Sequence, residues 1–212
     1  MYSVTHNPDN RPLIGRLVRL DPTRPADEAE LVEALDDPRV FALGFAGGAG
    51  DRAAAIARLI ATAGEDRAMY TIRLTGDTRF GPAGDVVGTT SLGDLDPRAQ
   101  RAHAGWTAYR PALWGKGLNA EVKLLLLGHA FEDCGFERVK LQTDSINQRS
   151  RDAIARLGAV QEGVLRHHQP RADGSWRDTV VFSILSAEWP TVQAGLESRV
   201  RATLASLTAQ GS

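Results

Sequence analysis

The stretch Trp106-Thr-Ala-Tyr-Arg-Pro-Ala-Leu-Trp-Gly-Lys-Gly-Leu-Asn-Ala-Glu121 places a glycine-bracketed turn between a strand-like segment and the start of a long apolar-periodic helix. That arrangement suits a phosphate cradle. Gly115 and Gly117 carry no side chain where a backbone must come close to a ligand. The N–H groups that open the following helix, from Gly117 to Glu121, point outward with the positive end of the helix dipole. An anionic ligand is expected there.

Spacing separates the ligand classes that could use such a loop. A Walker-type loop needs a glycine where Arg110 stands and a Ser or Thr where Gly117 stands, so that reading fails. Gly115-Lys-Gly117-Leu-Asn-Ala120 fits the relaxed dinucleotide pattern G-x-G-x-x-A, and the next strand, Arg138 to Thr143, ends at Asp144 where a ribose-binding acid belongs. Against it, Pro111-Ala-Leu-Trp114 separates the strand from the first glycine, and a dinucleotide fold begun at mid-chain leaves too few residues for its remaining strands. An NAD(P)-dependent oxidoreductase is therefore the runner-up.

Downstream, Phe131-Glu-Asp-Cys-Gly-Phe-Glu-Arg-Val-Lys-Leu-Gln-Thr-Asp144, Asn147-Gln-Arg-Ser150, Leu157-Gly-Ala-Val-Gln-Glu-Gly-Val-Leu-Arg166, Gly174-Ser-Trp-Arg-Asp178 and Glu188-Trp189 follow in order. With the Trp-Gly-Lys-Gly loop, this series resembles the GNAT superfamily of acyl-CoA-dependent N-acetyltransferases, in the branch that contains the ribosomal-protein N-terminal acetyltransferases. The resemblance covers Pro12 to Trp189. It implies an α+β fold with a mixed six- to seven-stranded sheet and helices on both faces. It also implies acetyl-CoA as co-substrate, direct transfer to a primary amine, and no metal.

The resemblance assigns the site as well. Backbone groups of Trp114, Gly115, Lys116, Gly117, Leu118 and Asn119 would hold the cofactor's pyrophosphate. The strand carrying Trp106, Thr107 and Tyr109 would splay from its parallel neighbour and pair with the pantetheine arm. Asn147 and Ser150 would face the thioester, Ser150 aiding departure of the thiolate. One departure from the family is Ala112, where many members carry Gln or Arg three residues before the first glycine. A pyrophosphate contact from that side chain is absent, and the backbone cradle is unaffected.

Composition bounds the alternatives. With 212 residues, 42% of them apolar, and a net charge of −1, the chain fits a single domain spanning 1–212. No Lys/Arg block gives a footprint for nucleic acid or an anionic membrane. The single Cys134 rules out an internal disulfide, the start Met1-Tyr-Ser-Val-Thr-His-Asn lacks the order of a signal peptide, and the apolar run Val122 to Phe131 is too short to span a bilayer. A cytoplasmic protein is expected, and the abundance of Arg and Ala suggests a GC-rich bacterial source.

Along the chain, Arg16 to Leu20 alternates as a strand, Pro25 to Leu35 and Asp51 to Ala63 read as helices forming a lid around the Gly44–Gly50 loop, and Ala68 to Leu74, Asp85 to Leu95 and His103 to Tyr109 read as strands. Asn147 to Leu157 reads as a helix with Asn147 as N-cap and Gly158 as its stop. Val164 to His168 and Thr179 to Leu185 form a closing antiparallel pair about the turn Ala172-Asp-Gly174. After Pro190, Val192, Leu196, Val200, Leu204 and Leu207 recur at helical spacing. Such a stripe ordinarily anchors a chain end on its own domain, and a homodimer is the alternative.

The general base is left open among Glu121, Asp144, Glu162, Asp178 and a water relay. Glu121 also reads as a first-turn charge favoured by the helix dipole, and Asp178 as a partner of Arg166 or Arg177. Of His167 and His168, one would line the acceptor pocket and the other the surface, since neighbours on a strand point to opposite faces. Trp106 and Trp114 read as packing residues and Cys134 as a small buried apolar residue. The acceptor is a small-molecule amine or a protein N-terminus. A catalytically idle CoA-binding sensor or scaffold is the competing class.

Overall fold

In the computed structural model, residues 4–48, 50–64, 66–171 and 173–209 are described. Met1 to Ser3, Ala49 of the glycine-rich loop and Ala172 of the closing turn lie outside the described residues.

Among these residues the strands are β1 (Leu13–Ile14), β2 (Val18–Pro22), β3 (Arg67–Leu74), β4 (Val86–Asp96), β5 (Arg101–Tyr109), β6 (Arg138–Asp144), β7 (Val160–Pro170) and β8 (Trp176–Leu185). They form one eight-stranded sheet in the order β1-β2-β3-β4-β5-β6-β8-β7. The expected six to seven strands become eight because β1, only two residues long, pairs with Leu20 and Arg19. Nothing so short shows a period in sequence. All pairings are antiparallel except β5 with β6, the one parallel step.

The helices are α1 (Glu28–Leu35), α2 (Pro38–Phe41), α3 (Arg52–Ala61), α4 (Leu118–Gly128), α5 (Gln148–Ala155) and α6 (Trp189–Thr208). The segment expected as a helix from Pro25 begins instead with a 3-10 turn, Pro25–Asp27, and α2 starts at Pro38 on the N-cap Asp37. Proline fits a first helical turn, whose N–H has no partner in any case. Asp51 caps α3 through its side chain to the Ala54 N–H at 3.0 Å.

One face of the sheet packs on α4, α5 and α6 through Tyr70, Leu92, Leu126, Phe136, Val139 and Leu196. The other face, over β3 to β5, packs on α1, α2 and α3 through Leu31, Leu35, Phe41, Ile56, Met69 and Ala108. The expected lid is thus a packed layer with its own core. On α6, Val192, Leu196 and Val200 are buried, and Leu204 and Leu207 pack against the same cluster. The C-terminal stripe therefore packs on its own domain.

Candidate active site

The end of β5, a 3-10 turn over Pro111–Leu113 and the start of α4 build the glycine loop. Gly115 and Gly117 adopt φ of 73° and 90°, and Gly117 is the N-cap of α4 with no side-chain hydrogen bond closing the helix end. A Cβ at Gly115 would enter open space. A Cβ at Gly117 would lie 2.2 Å from Thr203 Oγ1 on α6. Trp114 Nε1 donates to the Tyr109 carbonyl at 3.0 Å, and the Tyr109 hydroxyl donates to Asn119 Oδ1 at 2.8 Å, so strand end, loop and first helical turn form one unit. Leu118 is buried in the core, while the Lys116 side chain is exposed.

β5 and β6 pair only from Arg101↔Arg138 to His103↔Lys140. Beyond that point no ladder joins them, so the strand carrying Trp106, Thr107 and Tyr109 leaves its parallel neighbour as expected. Trp106 sits at φ 48° inside a bulge against β4, an uncommon conformation for a bulky side chain. Its ring rests where Gly93 leaves room, for a Cβ there would lie 2.6 Å from the indole. The Arg67 guanidinium covers the ring at 5.2 Å.

α5 borders the far side of this opening. Asn147 Oδ1 accepts from the Ser150 N–H at 3.1 Å, the N-cap anticipated from the sequence. The Ser150 hydroxyl has no hydrogen-bond partner among the described residues, so the cap uses its backbone and leaves the Oγ free. Between Asn147 and Ser150, Arg149 sets its guanidinium 3.5 Å from the Trp114 ring. This contact brings the Asn147–Ser150 turn against the glycine loop across the β5–β6 opening.

The four carboxylates considered as bases are all engaged elsewhere. Glu121 is buried and accepts from the backbone N–H groups of Arg16, Leu17 and Val18 at 2.8, 2.6 and 2.8 Å. Burial pushes the Asp144 carboxyl up, but the two-pronged ion pair from Arg171 at 2.7 and 2.9 Å and the Ile146 N–H together bring it below the ordinary range. Glu162 is held low by hydrogen bonding to Arg138, with the Ser183 hydroxyl as a further donor. Asp178 accepts from the His167 N–H at 2.8 Å and makes neither of the ion pairs expected of it with Arg166 or Arg177.

His167 and His168 do part to different neighbours. His167 stacks on Trp176 at 5.4 Å, and His168 Nδ1 lies 3.0 Å from Thr179 Oγ1. Cys134 is fully buried, and burial pushes its thiol up to about 12, so it is a packing residue.

Two buried groups were not anticipated. Lys123 on α4 is buried with one polar partner, the Thr107 hydroxyl at 2.8 Å, which also lies 2.8 Å from Thr90 Oγ1. Burial lowers its ammonium to about 8. His103 on β5 is buried beneath Trp106, ring centroids 4.7 Å apart. A usable signal was the pattern His103-Ala-Gly105: on a strand, a glycine two residues on leaves an open patch on the histidine's own face.

Comparison with known proteins identifies the family. The family profile described as acetyltransferase (GNAT) domain matches residues 17–160. A Bacillus subtilis (strain 168) protein, YdaF, whose own designation as a ribosomal N-acetyltransferase is provisional, is 32% identical over 107 residues. That alignment spans 50% of this chain and 57% of the relative. A crystal structure from T. thermophilus, provisionally titled an acetyltransferase, is 38% identical, covers 89% of this chain and 96% of its own, and superposes with a TM-score of 0.76. Mycobacterium smegmatis RimJ in complex with CoA-disulfide shares the fold at 21% identity, with a TM-score of 0.68 over 87% of this chain and 90% of its own.

Proposed function

The chain belongs to the GNAT acetyltransferase family; on that premise we propose that it is an acyl-CoA-dependent acetyltransferase that carries acetyl from acetyl-CoA directly to the α-amino group of a protein or peptide. The observation that carries the reading is the meeting of an uncapped, glycine-built helix N-terminus with the Asn147–Ser150 turn at the place where β5 leaves β6. Open space beside Gly115 and the uncapped start of α4 fit a pyrophosphate.

In this reading, backbone N–H groups from Trp114 to Asn119 hold the pyrophosphate of CoA, which supplies the activated acetyl group as a thioester. β5 from Trp106 to Tyr109 offers its unpaired backbone to the pantetheine arm and one N–H to the thioester oxygen, a fixed dipole placed where negative charge develops. Ser150, with an uncommitted hydroxyl in the first turn of α5, donates toward the departing sulfur.

Two considerations favour an α-amino acceptor. An α-amine, with an ordinary pKa near 7.7–8.0, has a substantial neutral fraction at neutral pH, whereas a lysine amine near 10.4 has almost none. Ile146, Val164, Leu165 and Trp176 also leave apolar side chains exposed around the β7–β8 hairpin, a surface suited to a polypeptide. YdaF's designation points the same way. A cytoplasmic setting accords with the single buried thiol. None of the described helices is long and apolar enough to cross a membrane.

The test pairs thermal shift with thiol release. CoA and acetyl-CoA should raise the melting temperature while NAD and NADP leave it unchanged. Thiol release with acetyl-CoA should be faster with peptides bearing a free N-terminus than with amino sugars or polyamines. Tight CoA binding without turnover on any amine would make the protein a sensor, and preference for a small amine would reassign the acceptor.

A further inference from the structure

His103 is the last residue of β5 paired with β6, at the point where the strands separate. Its side chain is 5% exposed, and neither ring nitrogen has an aligned hydrogen bond. Nδ1 lies 3.3 Å from Asp94 Oδ2, close enough for electrostatic pairing. Nε2 is directed along the strand over Gly105, 2.7 Å from where a Cβ at that position would stand. The imidazole therefore lies on the backbone of β5, aimed toward the Trp106 bulge, in space that only a glycine leaves open.

The geometry has a second half in Asp94. This residue takes φ 47° at the irregular end of the β4–β5 ladder, and its carboxylate also accepts from Lys140 Nζ at 2.7 Å. The neighbouring His103 and Lys140 hold the Asp94 carboxyl well below its usual range, so it is an anion that can orient a nearby imidazole. An unpartnered buried ring nitrogen is a rare and costly feature unless something is meant to meet it.

We propose that His103 is the proton acceptor of the acetyl transfer, with Asp94 as its positioning residue; this rests on the acyl-transfer reading above. The amine nitrogen attacks the thioester carbon, a C–N bond forms, and the carbonyl π electrons move to oxygen. The nitrogen's surplus proton passes to His103 Nε2. The carbonyl then re-forms, the C–S bond breaks, and the sulfur leaves with the bonding pair, taking a proton that Ser150 relays from solvent, while His103 returns its own to water. The balance is amine plus thioester to amide plus thiol.

The charged groups around the ring settle its resting form. Asp94 on β4 favours the imidazolium, whereas burial, Lys140 on β6 and Lys123 on α4 disfavour it, and burial dominates to lower its pKa. Arg67 on β3 reaches only the far layer, over Trp106. His103 thus rests neutral at pH 7, in the form a base requires.

The test uses the full chain, acetyl-CoA and a peptide with a free N-terminal alanine. His103→Gln should keep the CoA-induced rise in melting temperature while lowering kcat at least ~100-fold, the low end of what a positioned base supplies. For the wild type, log(kcat/KM) should fall with unit slope below the amine's pKa and steepen to a slope of two below that of His103; the variant should keep unit slope throughout. Should His103→Gln fold poorly, His103→Gly with added imidazole gives a second measure, in which restored turnover supports a base. In the free protein, imidazole 15N shifts should show His103 neutral at pH 7. Turnover of His103→Gln within threefold of wild type with an unchanged pH profile, or a His103 already protonated at pH 7, overturns this inference alone. A wild type that binds CoA but acetylates no amine overturns it together with the acyl-transfer reading.

Discussion

Thr203 of α6 stands directly behind Gly117: a Cβ added to the glycine would lie 2.2 Å from the Thr203 hydroxyl oxygen. The two glycines of the loop are therefore glycines for different reasons. Gly115 faces open space and keeps the approach to the loop clear, whereas Gly117, besides its φ of 90°, makes room for the C-terminal helix.

Substitution separates these roles. Gly115→Ala should cost roughly 1 kcal/mol of stability for a side chain at positive φ, and should weaken CoA binding out of proportion to that loss. Gly117→Ala should destabilise further because Thr203 must move. Adding Thr203→Ala should recover part of the loss, a coupling of about 1 kcal/mol or more. Chemical denaturation of the wild type, Gly115→Ala, Gly117→Ala, Thr203→Ala and the Gly117→Ala/Thr203→Ala double variant, with CoA titrations, checks this; equal stability of the single and double Gly117 variants would show that the contact costs nothing.

Glu121 ties α4 to the β1–β2 turn by accepting from three successive backbone N–H groups. Glu121→Ala leaves those donors buried without partners and should lower stability by about 2–4 kcal/mol. Turnover per folded molecule should keep its wild-type pH profile. A changed profile with unchanged stability would return Glu121 to the candidate bases.

Ser150→Ala should lower kcat by about 100-fold while moving the Michaelis constant for acetyl-CoA little, since assistance to a leaving group acts in the transition state. The α5 cap should be intact, because it uses the Ser150 N–H and the Asn147 side chain. Normal kcat with a lower melting temperature would assign Ser150 to structure.

Lys123 gives a pH-dependent prediction. Burial lowers its pKa from 10.5 to about 8, so between those values the unfolded chain binds a proton that the folded one does not. Stability contributed through Lys123 therefore rises with pH across that window, and below it the burial penalty, on the order of 3 kcal/mol, is fully present. Lys123→Met should be more stable than wild type at pH 7, with the difference shrinking toward pH 10.5. Tyr70, Tyr109 and Cys134, whose pKa values burial raises, pull the other way as pH rises. The comparison must accordingly be variant against wild type at each pH, by denaturant melts. A constant difference would show that Lys123 keeps its ordinary pKa.

What could be read from the chain alone were features whose causes lie within one turn or one strand. The glycine loop, the Asp51 and Asn147 caps, the alternation of β2 and the stripe on α6 all depend on neighbours a few residues away, so their patterns survive in the sequence. The assignment of partners does not have that property. Glu121 meets Arg16, Leu17 and Val18 across 103 to 105 residues, and Asp144 meets Arg171 across 27. The packing of α4 on the β1–β2 turn and of the β7–β8 turn beside β6 decides such pairs, and no local pattern encodes it. Tertiary structure alone showed that Glu121, Asp144, Glu162 and Asp178 each have hydrogen-bond partners within the fold. It laid α6 against Gly117, and it set His103, read from the sequence only as the start of a strand, beside Asp94 at the edge of the β5–β6 opening.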